Sequence, residues 1–326
     1  MTSGYRAWWQ NGSRGQTPIG ILPVSCPWKL LARVRVLRQA LRLGIHHLWP
    51  ASDGGIIGLA KGVLIRLEPG RQHFRVVGRL RSGNKPASRG FCVLPDGRVY
   101  YGEYCLNMDR SQPIGVFLSR DHGRSYEMVY EFSAGKVRHI HFIQWDPWGK
   151  CLWMGTGDAD AECLMLCSKD AGETWEQIGG GSQLWRAVGV VFAPEAVYWG
   201  TDAGMDAGRT PNYIMRWCRS SHRATPVREV QGPCHGNGGL GGGTVLISTG
   251  VERGVNEKDR CAHFWASRDG SVWEELGQWR KDPWPRIVQF GVIHFPPGEQ
   301  TPSSFWFNCR GLVGHGETTI AAAIGD

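Results

Sequence analysis

Short apolar runs alternate with turn-forming residues along nearly the whole chain. The clearest stretch is Arg138 to Trp175, where the runs HIHFIQW, CLWMGT and CLMLCS follow one another. They are bounded by Asp146-Pro147-Trp148-Gly149, Gly157-Asp158-Ala159-Asp160 and Lys169-Asp170-Ala171-Gly172. Runs this short, rich in aromatic and aliphatic residues and punctuated by Gly, Pro and Asp, are strands of a meander. The rhythm begins near Leu43 with GIHHLW, GIIGLA and VLIRL, and it persists to SFWFNC and TTIAAAI near the end.

The rhythm has a fixed period. Hairpin aspartates stand at Asp121 and Asp170, a step of 49. Two further steps reach a hairpin near Arg219 and then Asp269, and one step back reaches the turn at Gly70-Arg71-Gln72. A period near 49 with four strands per unit predicts an all-β fold, a β-propeller of six four-stranded blades. The sixth blade runs out of chain, because Thr318–Ile324 aligns with a third strand. An open edge invites pairing. An outer strand from the N-terminal arm, Ile19–Val24 or Arg33–Leu37, is therefore expected to close the ring. The expected division is an arm over 1–42 and a propeller over 43–326.

The hairpins carry a second pattern. Ser168 to Trp175 fits Ser-x-Asp-x-Gly-x-Thr-Trp, Ser119 to Tyr126 is a close variant, and Ser267, Asp269, Gly270 and Trp273 form a shortened one. This resembles the Asp box, or BNR repeat, of sialidase-like β-propellers, over roughly residues 88–275. Physically the box is a hairpin clasp. Asp170 accepts hydrogen bonds from turn N–H groups, Gly172 supplies a backbone position suited to positive φ, and Trp175 covers the hairpin. These residues are expected to stabilise the fold and not to catalyse. Sialidases also carry an Arg-Ile-Pro motif near the N-terminus and three arginines that grip a carboxylate. Here Pro285-Arg286-Ile287 is late and in another order, no arginine triad can be assigned, and the activity is not carried over.

Charge changes the picture at the N-terminus. Residues 1–52 hold seven Lys or Arg and no Asp or Glu, whereas the remainder carries 30 basic against 29 acidic residues. The neutral body argues against a nucleic-acid-binding face. Within the arm, WKLLARVRVLRQALRL (28–43) places Leu30, Val34, Leu37 and Leu41 on one helical stripe beside Arg35, Arg38 and Arg42. That is a basic amphipathic helix suited to peripheral contact with an anionic membrane. Arg33-Val34-Arg35-Val36 also alternates like an edge strand, and a docked helix or strand is an equal reading. An Arg-rich, acid-free start resembles an organelle transit peptide as well.

No run of about 18 apolar residues predicts a transmembrane helix, and MTSGYRAWWQNGSRGQ lacks the apolar core of a secretory signal. Ten Cys stand without a C-x-x-C pair, which removes zinc-ribbon and thioredoxin readings. They are expected to be reduced thiols in a cytoplasmic protein, membrane-peripheral if the arm binds lipid.

Meander connectivity sorts the remaining polar residues by side. First strands begin and second strands end on one side of a propeller. That side collects the starts His46-His47, Ser88-Arg89, Arg138-His139, Trp185-Arg186 and His235, and the ends Lys61, Glu103-Tyr104, Asp158, Asp202, Glu252 and Asn308. Asp146-Pro147 goes to the other side as an ordinary turn. His139 and His141 point the same way along a strand. With Asp158 or Asp202 they suit a divalent metal or a general base, or they are two satisfied histidines lining a wet channel. Arg186, with Trp185, Gln183 and Arg138, suits a carboxylate-bearing sugar; a salt bridge from Arg186 to Asp158 or Asp202 is the equal alternative. Glu103 and Tyr104 resemble the Glu-activated Tyr of sialidases, and can pair only if their strand has ended.

Two functions follow. The first is a carbohydrate-active or glycan-binding propeller acting on an acidic glycan as hydrolase or lyase, with catalytic candidates His139, His141, Glu103, Tyr104, Asp158 and Asp202. The second is a non-catalytic propeller that binds or assembles with a protein partner, held at a membrane by its arm.

Overall fold

A computed structural model describes residues 2–10, 15–34, 37–38, 41, 43–83, 85–286, 288–316 and 318–324. The fold is all-β, a six-bladed β-propeller preceded by a small sheet. The chain divides into two compact units, residues 1–143 and 144–326, with the boundary inside one strand.

The first unit opens with a three-stranded sheet, β1 (Thr2–Ser3), β2 (Arg6–Gln10) and β3 (Gln16–Ile21), followed by α1 (Cys26–Leu31). The first blade is β4 (Ile45–Pro50), β5 (Ile56–Ala60), β6 (Val63–Leu67) and β7 (Arg75–Arg79). The second is β8 (Phe91–Val93), β9 (Val99–Gly102), β10 (Ile114–Ser119) and β11 (Glu127–Phe132).

Four blades remain. The third is β12 (His139–Asp146), β13 (Cys151–Gly157), β14 (Leu164–Ser168) and β15 (Glu176–Gly180). The fourth is β16 (Val191–Phe192), β17 (Ala196–Gly200), β18 (Asn212–Cys218) and β19 (Arg223–Val230). The fifth is β20 (Cys234–Leu240), β21 (Thr244–Thr249), β22 (Cys261–Ser267) and β23 (Glu274–Arg280). The sixth has β24 (Val292–His294), β26 (Phe305–Arg310) and β27 (Thr318–Ala322), while β25 (Glu299–Gln300) pairs parallel to β20.

Burial follows the apolar runs. Every residue of β13, β17 and β21, the second strands of their blades, is buried, whereas no residue of β15 or β23 is. A strand packed on both faces needs a continuous apolar run, and a solvated outer strand does not. The cores lie between neighbouring blades. Trp49, Ile57, Leu59, Phe91, Val99 and Tyr101 pack together in the first unit, and Tyr198, Ile214, Ile247, Trp265 and Trp273 in the second.

The hairpin clasps form as expected. Asp170 Oδ1 accepts from Thr174 N at 2.9 Å and lies 2.8 Å from Ser168 Oγ, which itself accepts from Gly172 N. Gly172 has φ 86°. Asp121 and Asp269 hold their turns in the same way.

The arm departs from expectation. β3 pairs with β2, and Ile21 bridges to His73 beside the first blade. Among the described residues β27 pairs with β26 alone, so the outer strand expected from Ile19–Val24 is not formed there. Within the alternative, Arg33–Leu37, residues 35 and 36 lie outside the described residues. What fixes the arm is packing: Ala7 and Leu22 are buried with Ile45, Ile65, Leu67 and Phe74. The expected long helix is short. α1 ends at Leu31 with Ala32 as its C-cap, and beyond it Arg38 N bonds to Val34 O and Leu41 N to Leu37 O. Arg35 and Arg42 of the basic stripe lie outside the described residues. No helix among the described residues is long and apolar enough to cross a membrane.

Candidate functional site

The second unit gathers charge from three blades. Asp158 follows β13, Arg186 caps the short turn Gln183–Trp185 ahead of β16, and Asp202 and Asp206 follow β17. His235 lies on β20 and Glu252 follows β21. Each stands where a first strand begins or a second strand ends, so the meander brings them together.

Arg186 is the hub. Its Nη2 lies 3.2 Å from Asp158 Oδ1, its Nη1 2.9 Å from Asp206 Oδ1, and its Nε 3.7 Å from Asp202 Oδ2. Burial alone would lower its pKa, but the three carboxylates raise it. Of the two readings of Arg186, the ion pairs to Asp158 and Asp202 are present, so protein carboxylates share the fork that a ligand carboxylate would use. Its neighbours are engaged too. Gln183 Nε2 donates to the Asp158 carbonyl and to Asp160 Oδ1, both at 2.9 Å, and Trp185 stacks on Trp199 at 5.4 Å.

Beyond the hub, Asp202 turns its other oxygen toward His235. Asp202 Oδ1 lies 3.9 Å and Glu252 Oε1 3.0 Å from His235 Nε2. His235 Nε2 therefore pairs with Glu252, whereas Asp202 Oδ1 is buried without a hydrogen-bond partner. Gly250 makes room for the imidazole, since a Cβ there would stand 2.1 Å from His235 Cδ2. Burial raises the Asp202 carboxyl to about 7, against the lowering charges of His235 and Arg186. Burial would lower His235, but Glu252 and Asp202 raise it to about 9. Burial raises Glu252, and His235 outweighs this to leave it lowered. In all, four carboxylates face one guanidinium and one imidazole. Asp202, His235 and Glu252 each present one ligand atom within 4.8 Å of the others, a set able to hold a divalent ion.

The first unit holds the other candidates. His139 and His141 are both buried, with Nε2 atoms 3.0 Å apart, and His139 Nδ1 lies 2.9 Å from the Cys105 carbonyl. Tyr104 stacks over His139 at 4.1 Å. The two imidazoles each offer a ring nitrogen as the first unit's part of the expected metal set.

β9 ends at Gly102, so Glu103 was free to turn toward Tyr104, yet it does not. Glu103 accepts from Arg81 Nε at 3.0 Å, Ser82 Oγ at 2.9 Å and Gly115 N at 2.8 Å. Both oxygens accept hydrogen bonds, which anchors Glu103 to Arg81, Ser82 and Gly115. Arg138, half-buried, donates Nε to the Leu106 carbonyl at 3.1 Å.

Sequence reasoning placed His235 and Glu252 on the correct side without giving them a role. It missed Asp206, because the loop carrying it has no strand period to read. It also missed Asp146, which is a fully buried partner of Arg219 and not an ordinary turn residue.

No family model matches the sequence, and no curated protein matches it. Solved structures do resemble the fold. The GH74 xyloglucanase of Xanthomonas campestris is similar with TM-score 0.56 at 15% identity, covering 83% of this chain and 42% of that one. The oligogalacturonate lyase of Vibrio parahaemolyticus is similar with TM-score 0.54 at 12% identity, covering 84% and 76%. A chain of a nidogen/laminin complex gives TM-score 0.51 at 11% identity, covering 82% and 92%. The chain spans about two fifths of the xyloglucanase it matches. At these identities the likeness is one of fold.

Proposed function

We propose that the protein is a carbohydrate-active propeller of hydrolase or lyase type, working at the cluster of Asp158, Arg186, Asp202, Asp206, His235 and Glu252. One observation carries this: acidic, imidazole and guanidinium groups from three blades converge on one spot at the strand ends. Convergent polar groups with displaced proton affinities are what working acid–base sites require. Glycoside hydrolysis needs two carboxyl groups, and elimination needs a base with a charge neutraliser; the cluster holds candidates for both. The xyloglucanase and the lyase support the reading at the level of fold only. With Arg186 already neutralised, the protein groups alone favour a neutral glycan. The test is a panel of neutral and uronate-bearing oligosaccharides, read for new reducing ends and for new unsaturated uronates. Turnover by the wild type that Asp202→Asn abolishes is expected. Absence of turnover throughout the panel overturns the reading, and full activity in Asp202→Asn moves the site elsewhere.

A second reading, a membrane-peripheral binding or assembly propeller, is favoured by a different observation. Trp28, Leu30, Val34, Leu37 and Leu41 are all exposed within the acid-free basic arm. Exposed apolar residues among cations suit an anionic lipid interface. Co-sedimentation with phosphatidylserine vesicles, lost at high salt and in Trp28→Ser, is the expected result. Equal recovery with neutral vesicles argues against the charge-based part, and no sedimentation overturns it.

A further inference from the structure

We propose that Asp202 Oδ1, His235 Nε2 and Glu252 Oε1 form a divalent-cation site, and that the bound cation lets this cluster accept a carboxylate-bearing glycan. The second half rests on the glycan reading above; the first half does not.

The site is built rather than merely acidic. Its three ligand atoms come from the end of β17, from β20 and from the end of β21, and lie within 4.8 Å of one another. Ligand atoms on one ion at about 2.1 Å stand about 3–4 Å apart, so a sub-ångström closure suffices. Asp202 is more than nine-tenths buried, yet its Oδ1 has no hydrogen-bond partner, while His235 Nε2 stands 3.0 Å from Glu252 Oε1. A buried polar atom left without a hydrogen bond costs free energy, and an ion held between these three groups would satisfy it.

Arg186 does not forbid a second positive charge here. It faces Oδ2 of Asp202, the oxygen turned away from His235, and Asp158 and Asp206 already outweigh its charge. Asp202 and Glu252 are the carboxylates left over, and a divalent ion matches their combined charge.

One imidazole and two carboxylates make a borderline-to-hard donor set, which suits Mn²⁺ or Zn²⁺ and not a soft ion. Cys234, the residue before His235, directs Sγ to the Gly232 carbonyl at 3.9 Å and is not in the ligand set. Such an ion supplies the positive charge that Arg186 cannot, so an acidic glycan becomes acceptable where the protein groups alone would repel it.

The test uses the full chain, stripped with EDTA, desalted and titrated with Mn²⁺ alone by calorimetry and by loss of the free-ion resonance signal. One ion per chain is expected. Asp202→Asn, His235→Gln and Glu252→Gln should each weaken binding about tenfold or more, while Asp170→Asn should not. Circular dichroism shows which variants fold. Should none fold, the wild type still decides, because Mn²⁺ must broaden the His235 ring signals before those of His263.

Absence of stoichiometric binding, unchanged affinity in Asp202→Asn, or earlier broadening of His263 overturns the site. The glycan panel, run with Mn²⁺ and with EDTA, separates the two halves. Uronate-bearing glycans processed only with Mn²⁺ support both. Binding of Mn²⁺ without any glycan response removes the glycan reading and keeps the site. Uronate turnover that persists in EDTA removes the cation's role and keeps the glycan reading.

Discussion

Arg219 grips Asp146 with two parallel bonds, Nη1 to Oδ2 at 2.7 Å and Nη2 to Oδ1 at 2.9 Å. The Asp146 carboxylate is fully buried and also accepts from Trp148 N and Gly149 N, both at 3.0 Å. The pair thus ties the β12–β13 turn to the β18–β19 hairpin, the hairpin position where the repeat lacks its aspartate. Arg219→Met leaves a buried carboxylate unpaired and should cost about 3–5 kcal/mol. Arg219→Lys keeps the charge but not the fork, and its denaturation midpoint should fall between those of the wild type and Arg219→Met.

Asp121 links stability to acid pH. Burial pushes its carboxyl up, but bonds from Ser125, Ser119 and Arg124 overcome this and hold it at about 2. A depressed carboxyl stabilises the fold above its unfolded value near 3.8, and that contribution is lost as pH falls toward 2. Asp121→Ala should therefore lower stability by about 1 kcal/mol at neutral pH. Its deficit should shrink as pH drops from 4 to 2. Denaturant titrations at several pH values check this, and a constant deficit contradicts it.

Removing the arm should destabilise the first unit by exposing its core. Leu22 is buried against Ile65, Leu67 and Phe74, so Leu22→Ala should cost about 2–5 kcal/mol. A deletion of residues 2–22 should expose Phe74 and Leu67 and lower the melting temperature further. An unchanged melting temperature in the deletion would show that the arm is not part of the core.

Arg186 is expected to matter for stability as well as for any ligand. Arg186→Met strips Asp158, Asp202 and Asp206 of their shared cation and should cost about 3–5 kcal/mol. Arg186→Lys should recover only part of this, because one ammonium cannot reach three carboxylates in a fixed fork. Chemical denaturation of both variants checks the order.

Much of the architecture was legible because strand, turn and repeat are written locally. Apolar runs such as CLWMGTG and AVYWG mark strands covered on both faces, and the Ser-x-Asp hairpins recur at a period near 49. Strand direction then follows from connectivity alone, which put Asp158, Asp202, His235 and Glu252 on one side before any contact was known. What the sequence could not determine were the partners. Arg186 lies 28 residues from Asp158 and 16 from Asp202, and no local rule says that they consume its fork. Likewise Glu103 turned to Arg81 and not to its neighbour Tyr104. The arm shows the same limit: an apolar residue such as Leu22 records that something must cover it, but only the packed fold chose Phe74 and the first blade. Periodicity is a property of the chain, whereas ion pairs and core contacts depend on distances through space, and those are set only once the blades have packed.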